Sequence, residues 1–183
     1  MYYNQFFKVS AKFHNVDLEG KEAKCSETFL IEALNFAEAY TAVLDLITKT
    51  TTFPDTIEIQ KIEQAKFEEL VVTDSMENEN CINNNYVELF ADHEIGIFVY
   101  DVKIAFETED SKGKKKETTS TYIITGKSPV EVSNIIGALL KDSTVSYRIS
   151  NIKATKTNTV LVIPETYKSI KDKYEVIKTY IVK

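Results

Sequence analysis

The sequence predicts an α+β fold: two tandem copies of a β-β-α-β(β) unit, packed with pseudo-two-fold symmetry and followed by a C-terminal helical tail. Three observations predict it. The second half of the chain repeats the first in register: Phe7, Val9, Ala11 and Phe13 fall on Tyr100, Val102, Ile104 and Phe106, and Gly20 falls on Gly113. Each copy opens with two runs of alternating apolar and polar residues around a glycine-centred polar turn, which is the pattern of a hairpin with one buried face. An apolar stripe at helical spacing follows each hairpin.

The elements follow in order. Residues 6–13 and 99–107 are outgoing strands, and 23–32 and 117–125 are the returning ones, rich in Thr, Phe, Tyr and Ile. Between them Gly20 and Gly113 supply the positive φ a tight connection requires. The first helix begins after Asn35, with Glu38 three residues on; the second begins after Ser128, with Pro129 at its first position and Glu131 at its third. Both are capping-box starts. Ala39, Val43, Leu46 and Ile47 form one stripe, and Val132, Ile135, Ile136, Leu139 and Leu140 the other. A long extended segment follows each helix, 56–73 and 146–163. Its alternation changes parity midway, which predicts a bulge or two short strands meeting at a bend.

The copies span 1–73 and 97–164. Residues 74–96 read as a flexible polar linker with a short helical piece around Tyr86, Val87, Leu89 and Phe90. Residues 165–183 read as an amphipathic tail in which Tyr167, Ile170, Tyr174, Ile177 and Ile181 recur at helical spacing. That stripe docks on the core or serves self-association or a protein partner.

Charge is unevenly placed. Residues 1–92 carry 7 Lys and 17 Asp or Glu, a net of −10, whereas 93–183 carry 15 Lys or Arg and 11 Asp or Glu, a net of +4. An acidic half beside a basic half can bind a polyanion on one side or stack head-to-tail with itself. Cys25 and Cys81 are unpatterned, which fits free thiols in a reducing compartment. The first residues lack the pattern of a signal peptide, and no run is long and apolar enough to span a bilayer. The expectation is a soluble protein of the cytoplasm.

Most catalytic chemistry finds little support. His14 and His93 are the only histidines, and neither neighbours a cysteine in sequence. The five scattered glycines form no phosphate cradle, and no paired Cys or His suggests zinc. Asp74, Glu77 and Glu79 lack the spacing of a calcium loop. Asp55, Glu58 and Lys61 lack that of a metal-dependent nuclease. A non-enzymatic protein with no cofactor and no metal is expected.

Nucleic-acid binding has more behind it. Lys112, Lys114, Lys115 and Lys116 crowd the second hairpin, a cationic finger able to neutralise phosphates. Lys103, Arg148, Lys153 and Lys156 add to the same copy, and Thr118, Thr119, Ser120 and Thr121 offer hydroxyl donors. Tyr147 is the stacking aromatic nearest to these, with Tyr2, Tyr3, Phe67 and Phe98 as further candidates. The expected partner is single-stranded nucleic acid, with DNA favoured. A protein-interaction module that self-associates is the alternative.

Several stretches together resemble an uncharacterised family, a domain of unknown function found in Bacteroidetes, their prophages and crAss-like phages. They are Phe6-Phe7-Lys8-Val9, Glu27-Thr28-Phe29-Leu30-Ile31-Glu32-Ala33-Leu34-Asn35-Phe36-Ala37-Glu38-Ala39, Ile59-Gln60-Lys61-Ile62 with Ala65-Lys66, and Val102-Lys103-Ile104-Ala105-Phe106 with the lysine hairpin. The resemblance covers roughly 6–163 and carries no activity or catalytic residue. It implies a phage context, in which small acidic proteins serve replication as single-strand binders, inhibit host machinery or build virions. The doubled sheet-plus-helix outline is similar to the Whirly and PUR single-strand-binding folds, from which its helix-third order departs.

Overall fold

A computed structural model describes residues 5–82 and 85–181, with 77–82 as backbone alone. In chain order the elements are β1 (Gln5–Val16), β2 (Glu22–Ala33), α1 (Phe36–Thr50), β3 (Phe53–Ala65), β4 (Glu69–Val71), β5 (Glu77–Ile82) and β6 (Tyr86–Phe90). Then come β7 (Phe98–Glu109), β8 (Lys115–Gly126), α2 (Pro129–Leu139), β9 (Tyr147–Ala154), β10 (Thr157–Val162) and α3 (Pro164–Ile181). The fold is α+β; the described residues form two sheets and three helices, the last of them C-terminal.

Two units divide these elements, and each gathers separate stretches of chain. One unit is Met1–Ala65, Asn78–Phe90 and Lys156–Pro164; the other is Lys66–Glu77, Ala91–Thr155 and Glu165–Lys183.

The first unit holds a six-stranded sheet in the order β3-β1-β2-β10-β6-β5. β1 and β2 pair antiparallel from Gln5↔Ala33 to Val16↔Glu22. That register puts Phe7, Val9, Ala11 and Phe13 on one face with Phe29, Ile31 and Ala33, and α1 covers them with Ala39, Val43, Leu46 and Ile47. The helix starts as its sequence dictates. The Asn35 side chain accepts from the Glu38 N–H at 2.9 Å, and the Glu38 carboxylate reaches back to the Leu34 N–H at 2.7 Å, so two N–H groups at the helix start are satisfied.

The second unit holds a four-stranded sheet in the order β4-β8-β7-β9. Tyr100, Val102, Ile104, Tyr122 and Ile124 face Val132, Ile135 and Ile136 of α2, and Tyr174 and Ile177 of α3 complete the same core. The α2 start repeats the capping pattern, with Ser128 Oγ accepting from the Glu131 N–H at 3.1 Å and Glu131 accepting from the Lys127 N–H at 2.6 Å.

Each long extended segment does break into two strands. Their destinations were not legible: β4 leaves β3 behind and pairs in parallel with β8, while β10 leaves β9 behind and pairs in parallel with β2. The short helical piece expected near residue 86 is a strand instead. β6 lies between β10 and β5, and Val87, Glu88 and Leu89 are all buried. A strand buried on both faces loses the alternation that would have announced it. The tail is helical as its spacing required.

Candidate nucleic-acid interface

The lysine hairpin is built on one carboxylate. Asp110 Oδ1 accepts from the N–H groups of Lys112 and Lys114, both at 2.9 Å, and Gly113 takes φ +74° so that its own N–H reaches the Asp110 carbonyl at 2.9 Å. A side chain tying its own backbone in this way fixes the turn without help from the lysines. Residues 107–119 are exposed throughout, so the β7–β8 tip stands clear as a two-stranded arm.

The β1–β2 hairpin has the same turn. Asp17 Oδ1 accepts from the N–H groups of Glu19 and Lys21 at 2.9 Å each, and Gly20 takes φ +80°. At this tip Asp17, Glu19 and Glu22 against Lys21 leave a net −2; at the other, Asp110 against Lys112, Lys114, Lys115 and Lys116 leaves +3.

The other sequence-predicted residues fare differently. Lys103 lies opposite Thr121 and Asn151, Asp101 opposite Lys153, and Ala105 opposite Thr119 and Arg148. Lys103, Arg148, Lys153, Thr119 and Thr121 therefore share the face turned away from α2. Thr118 and Ser120, opposite Phe106 and Ile104, point to the helix-covered side, so the run of four hydroxyls is split between faces.

Carboxylates occupy that face as well. Arg148 makes a two-pronged contact with Glu117 at 2.9 and 3.0 Å, and Lys115 lies 3.7 Å from Glu107. Lys156 does not share a unit with the rest; it belongs with β10 in the first.

The expected basic body does not form either. Grouped by unit, Lys and Arg number 7 against 12 Asp and Glu in the first and 15 against 16 in the second, net −5 and −1. The split between chain halves was steep because Glu68, Glu69 and Asp74 precede the midpoint in sequence yet fold into the second unit.

Tyr147 is not a free stacking platform. It stands opposite Phe106, with ring centroids 6.2 Å apart, and packs on the α2 core. Phe98 is stacked on His93 at 4.9 Å. Tyr2 and Tyr3 lie outside the described residues.

The remaining chemical candidates are placed as follows. His14 and Cys25 line one small cavity, but His14 Nδ1 pairs with Glu22. Burial, and secondarily the charge of Glu27, raises the Cys25 pKa, so the group stays a thiol rather than a nucleophilic thiolate. The Cys81 side chain lies outside the described residues. Asp74 is paired with the ammonium groups of Lys178 at 2.6 Å and Lys171 at 3.2 Å, and the side chains of Glu77 and Glu79 are not described. Among the described residues no three His, Cys, Asp or Glu side chains are grouped to hold a metal ion.

In the tail stripe, Ile170, Tyr174 and Ile177 are buried within this chain, which leaves them unavailable to a partner. No described helix is long and apolar enough to cross a membrane.

No curated protein matches the chain. The model of a domain of unknown function, DUF4494, matches residues 5–164, from the first strand to the residue that opens α3. The chain belongs to the DUF4494 family.

Proposed function

We propose that this protein is a non-enzymatic nucleic-acid-binding protein whose β7–β8 arm contacts the phosphate backbone of single-stranded DNA, in a phage replication or recombination setting. One observation carries the reading. The two hairpins use the same aspartate-and-glycine turn, yet the positions that the turn leaves free differ. Leu18, Glu19, Lys21, Glu22 and Ala23 on the first tip stand where the second has Ser111, Lys112, Lys114, Lys115 and Lys116. The turn does not require the lysines, so their clustering serves something outside the fold. Exposed lysines on a projecting arm neutralise phosphates without reading sequence.

The same correspondence supports reading the chain as an internal duplication. The strand order β3-β1-β2-β10 of one sheet answers β9-β7-β8-β4 of the other, and the caps Asn35 and Ser128 are equivalent. The lysine cluster is then a feature that one copy carries and the other lacks.

The contact surface is narrower than the sequence suggested. Glu117, Glu107 and Asp101 offset the cations on the sheet face, and Tyr147 is packed away, which leaves Lys112, Lys114 and Lys116 with Lys115 as the binding group. The test is fluorescence anisotropy with labelled single-stranded DNA and the Lys114→Glu, Lys115→Glu double variant. Loss of binding with an unchanged melting temperature supports the arm. Undiminished binding moves the site elsewhere.

A second reading, a protein-interaction module, is favoured by Leu34, Phe36 and Tyr40. These are 55%, 52% and 44% exposed around the start of α1, more apolar surface than a solvated helix start needs.

A further inference from the structure

In the first unit a cavity of about 410 Å³ opens between the C-terminal half of α1 and the sheet beneath it. Phe13, Phe29 and Phe90 form apolar walls, and Glu27 and Glu88 are the carboxylates that line it. Backbone register explains the placement. Glu88 stands opposite Leu161, a core residue under α1, and Glu27 precedes Phe29 by two on the same face.

Glu88 is only 6% exposed and has no hydrogen-bond or ion-pair partner among the described residues. The comparably buried Glu32 in the same unit, by contrast, accepts from the Ile163 N–H at 3.0 Å. The Glu88 carboxylate opens into the cavity, where a donor must come from water or from a bound ligand.

We infer that this cavity binds a small organic cation, an arylalkyl- or alkylammonium whose N–H donors sit between Glu27 and Glu88 while its body lies against Phe13, Phe29 and Phe90. Two acids and three aromatic rings suit an ammonium group on an apolar frame, which gains charge-assisted hydrogen bonds and ring contacts together. A metal ion is the poorer fit, because no third ligand of the kind it needs stands with the pair among the described residues.

The electrostatics agree. Burial and the neighbouring charge of Glu27 push Glu88 up to about 7, and burial raises Glu27 as well. A cation between them relieves both effects. Lys49, in the last turn of α1, is the one cation lining the cavity among the described residues and is exposed at its rim. It competes with the ligand rather than holding it.

The experiment titrates 2-phenylethylammonium chloride into the full-length protein at about pH 8, where Glu88 is ionised, and reads amide shifts by NMR and heat by calorimetry. Phenylacetate and magnesium chloride are the comparators. The expected result is saturable binding of the amine with shifts confined to residues around Glu27 and Glu88, and no response to phenylacetate. Glu88→Gln and Glu27→Gln, each checked for an intact spectrum, should weaken binding about tenfold or more. Lys49→Ala should leave it intact or tighter. An equal response to phenylacetate, displacement of the amine by magnesium, undiminished affinity in both glutamine variants, or loss of binding in Lys49→Ala would overturn the assignment.

Discussion

Leu70 stands opposite Ile123 in the parallel ladder between β4 and β8. Val160 stands opposite Leu30 in the parallel ladder between β10 and β2. In both ladders a strand from the end of one half of the chain completes a sheet begun by the other half. Leu70 and Val160 are 7% and 0% exposed. Leu70→Ala should cost about 2–4 kcal/mol and Val160→Ala somewhat less, with chemical denaturation as the measure.

The exchange also predicts how the chain behaves when cut. Residues 1–90 keep β4, which the second unit needs, and 91–183 keep β10, which the first needs. Neither piece alone should give a cooperative melt, whereas coexpression should give a one-to-one complex with the parent's circular dichroism. A cooperative melt from either piece alone would show that the exchanged strand is dispensable.

Glu88 gives stability a pH dependence with a definite sign. The folded protein holds a proton that the unfolded chain, with its ordinary carboxylate, releases at lower pH. Stability therefore falls as pH climbs from the ordinary value of 4.5 to about 7, and it levels off above. Glu88→Gln should raise stability at alkaline pH by on the order of 2 kcal/mol and change it little in acid. Paired urea melts of parent and variant at the two extremes decide it; a variant less stable at alkaline pH contradicts the account.

Asp74 works in the opposite sense. Hydrogen bonding to Lys178 holds its carboxyl below the ordinary range against the opposing effect of burial, and the contacts with Lys171 add to the lowering. The stabilisation is present above the ordinary value of 3.8 and is lost as pH falls through the lowered one. All three side chains are partly exposed, so Asp74→Asn should cost only about 0.5–1 kcal/mol, less at high salt. The effect should appear as faster amide exchange in α3.

Removing the caps should have matched effects. Asn35→Ala and Ser128→Ala each leave the N–H of the third helical residue, Glu38 or Glu131, without its partner, at a cost of about 1 kcal/mol. Thermal melts of the two variants should shift by similar amounts. A shift in one alone would mean that the two helix starts are not energetically equivalent.

These caps were legible because the signal is local: Asn35 with Glu38, and Ser128 with Pro129 and Glu131, specify a helix start within four residues. The hairpins were equally plain, since Phe7, Val9, Ala11 and Phe13 alternate across one buried face. β6 was hidden, because Val87, Glu88 and Leu89 are buried in succession and leave no period to read. The exchange of β4 and β10 was hidden for a different reason. Leu70 and Val160 display strand propensity and nothing about which sheet receives them. The candidate site suffered from that exchange, since Lys156 and Asp74 each fold into the unit their sequence neighbours did not suggest. Tyr147 could have been discounted, because Tyr147 and Ile149 share the parity that Phe106 and Ile104 impose on β9.

The most direct test is a salt titration of binding to labelled single-stranded DNA. It compares the parent with a variant whose tip, residues 111–116, is replaced by the sequence of 18–23. The graft keeps the aspartate-and-glycine turn, replaces three of the four lysines while leaving one at position 114, and turns the tip from net +3 to net −2. The parent should bind with log affinity falling against log salt at a slope of about −2 to −3, as expected for three or four phosphate contacts, and the graft should not bind measurably. A parent that fails to bind at low salt, or a graft that binds with the parent's slope, would contradict the account.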